Sequence, residues 1–131
     1  MVLALAAVLV TGCGGEAGGG DPPAAEGPAK AVADTVEAFE RATRRRDYDL
    51  ICSELFSRVV RRQSGGRDCP ELLARRARSV RDARIELRAI EVKGSRAEAR
   101  VITTARGQRA VKETIELVLE RGRWRIAALG G

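Results

Sequence analysis

The chain has 131 residues, room for one domain and too few for two. Its 24 basic and 18 acidic side chains leave a formal net charge of +6 with no histidine, so the commonest general base, metal ligand and physiological pH switch are all missing. The cations are interleaved with acids, and Phe39, Tyr48, Phe56 and Trp124 are the only aromatic rings, too few to stack on bases, so nucleic acid is not an expected partner.

Residues 1–10, MVLALAAVLV, form an uninterrupted apolar run. The run has the length of a signal-peptide core and falls well short of the ~20 residues needed to span a bilayer. Val10-Thr11-Gly12-Cys13 follows at once. This tetrad resembles the lipobox of bacterial lipoproteins: an aliphatic residue, small residues open to a peptidase, then an obligatory Cys. No basic residue precedes the apolar run, where signal peptides usually carry one. The resemblance implies that residues 1–13 are signal and lipobox, and that the Cys13 thiol accepts a diacylglyceryl group. The membrane is then a partner through lipidated Cys13, and the rest of the chain lies on the extracytoplasmic side of the cell membrane. Two acyl chains at ~0.8 kcal/mol per buried methylene hold a protein firmly, where one binds marginally. Residues 14–28 are rich in Gly, Pro and Ala without periodicity and read as a flexible linker. The alternative, a buried N-terminal strand ending in a Gly-rich turn, agrees poorly with that linker.

With Cys13 assigned to lipid, Cys52 and Cys69 remain. An even remainder in an oxidising compartment predicts a disulfide, the alternative being one buried and one exposed free thiol. Two sulfurs without histidine do not make a metal site, so no metal or cofactor is expected.

Residues 29–131 are expected to form the folded domain. Pro28 opens a helical pattern, as a first-turn proline can, with Val32, Val36, Phe39 and Ala42 or Thr43 on one face. Arg44-Arg45-Arg46 complements the dipole at the helix end. Asp47 or Asp49 is positioned to cap a short second helix from Tyr48 to about Leu55, and Val59 and Val60 belong to a further turn. Ser64-Gly65-Gly66 breaks the chain, and Asp68-Cys69-Pro70-Glu71 starts another helix with Leu72 and Leu73 facing inward.

From Arg84 the apolar period changes to two. Ile85, Leu87 and Ala89 make one row, then Ala97, Ala99, Val101 and Thr103, then Val111, Ile115, Leu117 and Leu119, then Trp124, Ile126 and Ala128. Lys93-Gly94-Ser95, Arg106-Gly107-Gln108 and Arg121-Gly122 are the turns between them. The prediction is an α+β fold, with N-terminal helices packed on a curved four-stranded antiparallel β-meander.

Three local features carry a wider likeness: the step Arg45-Arg46-Asp47-Tyr48 between the first two helices, the short Cys-containing helix Leu50 to Leu55, and the ending Gly122-Arg123-Trp124-Arg125-Ile126. Together they resemble the nuclear transport factor 2-like superfamily, a cone-shaped α+β fold, over residues 29–129. The family often has a hairpin between its second and third helices, and here residues 57–70 read as helical or irregular. Enzymes on this fold place Asp, Tyr or His inside the cone, and the resemblance transfers no catalytic residue to this chain. Tyr48, Asp34, Asp47 and Asp49 sit where capping or solvation accounts for them.

The composite expectation is an anchored, non-catalytic envelope lipoprotein that binds a small apolar ligand or a partner protein, as a monomer or a homodimer through the sheet. Two alternatives stand beside it. One is an isomerase, dehydratase or cyclase using Tyr48 with an inward carboxylate. The other is an envelope structural protein whose Arg-rich helix ends meet acidic lipid or wall polymer.

Overall fold

The computed structural model describes residues 26–130; Cys13, the expected signal peptide and most of the expected linker lie outside them. Helix α1, Gly27–Arg45, starts with Pro28 in its first turn and ends where Arg46 turns left-handed at φ 58°. Its amphipathic face buries Val32, Val36 and Ala42. Asp47 caps the next helix by accepting the Leu50 N–H at 3.1 Å. That helix, α2 (Tyr48–Leu50), runs straight into a π-helical turn, Ile51–Leu55. The turn closes with the Phe56 N–H on the Ile51 carbonyl at 2.8 Å, five residues back. Ile51, Cys52, Leu55, Phe56 and Ser57 are all buried.

Ser57 makes two connections. Its N–H reaches the Ile126 carbonyl at 2.8 Å, and its hydroxyl caps α3, Arg58–Gln63, through the Val60 N–H. A 3-10 turn, Gly66–Asp68, leads into α4, Cys69–Arg76, with Pro70 in its first turn. Residues 57–70 are therefore helical, and the hairpin common in the resembled family is replaced by α3 and the 3-10 turn.

The sheet is a four-stranded antiparallel meander in the order β1 (Arg84–Lys93), β2 (Arg96–Thr104), β3 (Val111–Glu120), β4 (Arg123–Gly130). The α+β arrangement and strand order agree with the sequence reading; the register of two strands differs. Arg88 is bulged out of the β1–β2 ladder, which passes from Leu87↔Val101 to Ala89↔Arg100. The alternation flips there, so Ile90 and Val92, not Ala89, follow Ile85 and Leu87 against the core. A second bulge at Ala127 takes Ala128 off the inner face of β4, because Ala128 pairs with the outward Glu116. Both bulges bend the sheet, and a bent sheet can wrap α1.

Two tight turns join the outer hairpins. Gly94, at φ 59°, is the first central residue between β1 and β2, and Arg121 and Gly122 are both left-handed, at φ 49° and 78°, between β3 and β4. These turns lie side by side, since the Leu119 N–H bonds the Ser95 carbonyl at 2.8 Å. Helix α1 packs mainly on β1 and antiparallel to it. Thr35 Oγ1 contacts the Trp124 carbonyl near the β3–β4 turn, and Glu40 reaches Ile85 at the opposite end of β1. The N-terminus of α1 therefore points to the end of the sheet that carries both tight turns.

Candidate functional site

The space between helices and sheet is where a cone-shaped fold would hold a ligand, and here side chains occupy it. Val32 and Val36 of α1, Phe56 after the π turn, and Leu117, Trp124 and Ile126 of the sheet belong to one continuous buried cluster. The Phe39 and Phe56 rings sit 6.3 Å apart across it. Five pockets elsewhere on the described residues open on the outside, and charged side chains line each of these.

The acids singled out in the sequence are placed as follows. Asp34 is exposed and pairs with Lys30 at 2.9 Å, one helical turn away. Asp47 is the cap of α2. Asp49 is exposed in the first turn of the same helix. Tyr48 is half-buried and lines a cavity of about 160 Å³ with Thr43, Arg44, Arg46, Arg81 and Asp82. Asp82, left-handed at φ 52°, is ion-paired with Arg106 of the neighbouring β2–β3 connection, whose N–H bonds the Arg81 carbonyl. So the carboxylate that shares this cavity with Tyr48 is already engaged with a guanidinium.

Sequence reasoning missed Glu40. Its carboxylate accepts the Ile85 N–H at 2.5 Å and so pins the first residues of β1 to α1. The signal was an acid at a helix position one turn after Val36, half-buried in the fold. Among the described residues, no group of three or more Cys, Asp or Glu is placed to hold a metal ion. Nor is any described helix long and apolar enough to cross a membrane.

Cys52 and Cys69 form a disulfide with their Cα atoms 6.1 Å apart. Both are buried, Cys69 completely. The bridge ties the π turn to the first residue of α4, a helix that otherwise touches mainly α2, the π turn and the 3-10 turn before it. The staple therefore holds an element that has no substantial contact with the sheet.

Charge is distributed unevenly. Residues 58–81 hold eight arginines against Asp68 and Glu71, a surplus of six, which is the net charge of the whole chain. One arginine-rich feature is a groove of about 450 Å³ between the π turn, α3 and the β3–β4 hairpin. Arg58, Arg61, Arg121 and Arg125 line it, with Glu120, Ser53 and Phe56. Arg125 is held in place, donating from Nη1 to the carbonyls of Ser53 at 3.1 Å and Glu54 at 2.5 Å. Glu120 accepts the Arg58 backbone N–H at 3.4 Å. Within the described residues, none of the four guanidinium groups is ion-paired; the nearby pair of Glu54 goes to Arg123, at 3.3 Å.

The outer sheet face carries a second charged pattern. Glu91, Glu98 and Glu116 stand directly opposite one another across three strands, flanked by the Lys93–Arg96 row. Like charges in register repel, and Lys93, 3.2 Å from Glu91, offsets part of that.

A scan against protein-family models finds no match, and no curated protein matches. Solved structures do. A SEC-C motif containing protein from Rhodopseudomonas palustris superposes with a TM-score of 0.62 at 19% identity, covering 79% of this chain and 77% of its own. A nuclear transport factor 2-like protein of unknown function from Silicibacter pomeroyi DSS-3 gives a TM-score of 0.55 at 19% identity, covering 76% of this chain and 89% of that one. A nuclear transport factor 2-like protein of unknown function from Shewanella baltica OS155 gives 0.52 at 14% identity, covering 76% and 87%. At such identities the likeness is one of architecture: helices wrapped by a curved antiparallel sheet, with Trp124 and Ile126 of the last strand in the core, make this a nuclear transport factor 2-like α+β fold.

Proposed function

We propose that the chain is a lipoprotein anchored through acylated Cys13, and that it presents this domain outside the cytosol as a non-catalytic binding module for a partner protein. One observation favours a partner on the outer surface over a small apolar ligand inside: the cone interior is filled by the cluster around Val36, Phe56, Leu117 and Ile126. Tyr48 looks out on arginines and an ion-paired Asp82, an environment that supports docking rather than proton abstraction. The Cys52–Cys69 bridge suits an oxidising compartment. The anchor itself rests on the order of the apolar run, Thr11, Gly12 and Cys13.

The test is intact-mass analysis of the protein purified from its own membranes, together with an organic extract of the same sample. The expected result is a chain beginning at Cys13, heavier by a diacylglyceryl group, with no stoichiometric apolar molecule released from the domain. An unprocessed chain with bare Cys13 refutes the anchor. A bound apolar molecule at one per chain refutes the filled cone.

A further inference from the structure

The arginine groove lies at the same end of the fold as the chain's route to the membrane. The Thr35 contact with Trp124 places the middle of α1 beside the β3–β4 turn. Gly27 stands eight residues earlier, about 12 Å further along the helix axis. Arg121 belongs to that turn, Arg125 follows it on β4, and Arg58 is tied to Glu120 just before it. Thirteen residues, 14–26, separate Cys13 from the start of α1, and a chain of that length spans at most about 45 Å. Whatever surface holds Cys13 is therefore within reach of this end of the domain.

The groove also lacks charge balance. Four guanidinium groups converge on one cavity with a single carboxylate, Glu120, and none of them is ion-paired among the described residues. Like charges held together repel, and an anion relieves the repulsion. Guanidinium groups bind tetrahedral oxyanions through paired N–H donors, and Arg125 is already oriented by two backbone carbonyls. We infer that this groove, Arg58, Arg61, Arg121 and Arg125, binds the phosphate of an anionic lipid headgroup and so sets the domain against its membrane with the β3–β4 turn inward. The inference rests on the anchored reading for its choice of a lipid over a free phosphate; the binding chemistry of the groove does not.

The experiment uses the full chain carrying Cys13→Ser, which cannot be acylated, so binding is read apart from the anchor. The chain is sedimented with vesicles of neutral phosphatidylcholine and with vesicles containing about one third phosphatidylglycerol. The apolar residues 1–10 contribute equally to both, and the excess on the anionic vesicles is the signal. Arg58→Glu with Arg61→Glu should lower that excess about tenfold or more. Arg109→Glu with Lys112→Glu makes the same charge change around the β2–β3 connection, at the other end of the sheet, and should leave most of the excess in place. Circular dichroism of both pairs checks that the fold is kept. Equal losses from the two pairs, or no excess on anionic vesicles, overturns the inference. Full displacement by millimolar inorganic phosphate at constant ionic strength overturns the choice of lipid in favour of the free ion. Bare Cys13 in native membranes, with the groove result intact, refutes only the anchor.

Discussion

Glu40 shows how much one side chain can decide. It sits in the second half of α1, and its carboxylate holds the N–H that opens β1, so one bond joins the two layers. Glu40→Ala should cost roughly 1.5–3 kcal/mol, because a bond to an ionised acceptor is lost and the Ile85 N–H is left half-buried. Glu40→Gln, which keeps an oxygen in place, should cost less, and urea denaturation of the two variants measures the difference. Arg121 is a second such position. It is left-handed in a turn where both central residues have positive φ, the geometry that Asn-Gly serves best. Arg121→Asn should therefore stabilise the hairpin by about 0.5 kcal/mol, read as a higher thermal midpoint; a lower midpoint would show that Arg121 makes a stabilising contact worth more than the strain it carries.

Among the elements, α4 is the one whose place depends on a covalent bond. Its neighbours are α2, the π turn and the 3-10 turn, with the sheet out of substantial contact. Replacing Cys52 and Cys69 together by Ala should lower stability by about 3 kcal/mol in the chain-entropy account of a loop of this size. Hydrogen exchange should then quicken in α4 and the 3-10 turn well before β2 and β3, the two central strands, which pair with each other without a register shift and have a neighbour on both sides. Uniform acceleration across the sheet would mean that the bridge supports the whole core. The strands illustrate the opposite case. Their alternation is plain in the sequence, yet the bulges at Arg88 and Ala127 invert it within a strand. Ile90 and Val92 turn inward because the curved sheet has a core to cover there, a demand that lies outside the strand itself.

For the molecule as a whole, the uneven charge has a thermodynamic consequence. Residues 58–81 carry the entire surplus of +6, and the remainder of the chain is balanced. Ion pairs in the described residues are mostly exposed, and such pairs contribute little. Repulsion within the arginine-rich segment is then the larger salt-sensitive effect. Raising sodium chloride from 20 mM to 0.3 M at neutral pH should lift the thermal midpoint by a few degrees, as the screening length shortens from roughly 20 Å to about 6 Å. A falling midpoint in calorimetry would show that the pairs outweigh the repulsion. Two arginines of that segment, Arg58 and Arg61, meet Arg121 and Arg125 in the groove beside the β3–β4 turn.

The sequence by itself determined the order of the elements, the meander with its Gly turns, the helix starts at Pro28 and Pro70, and the pairing of two cysteines once Cys13 was set apart. These follow from local chemistry: apolar period, turn residues that tolerate positive φ, caps, and an even count of thiols. Tertiary structure alone decided which residues beyond each bulge face the core, that Glu40 reaches Ile85, and that the cone closes on its own side chains. It also brought Arg58 and Arg61 of α3 beside Arg121 and Arg125 of the last hairpin, some sixty residues away. Those outcomes depend on contacts between distant segments, and no local period in the chain encodes which surfaces will meet.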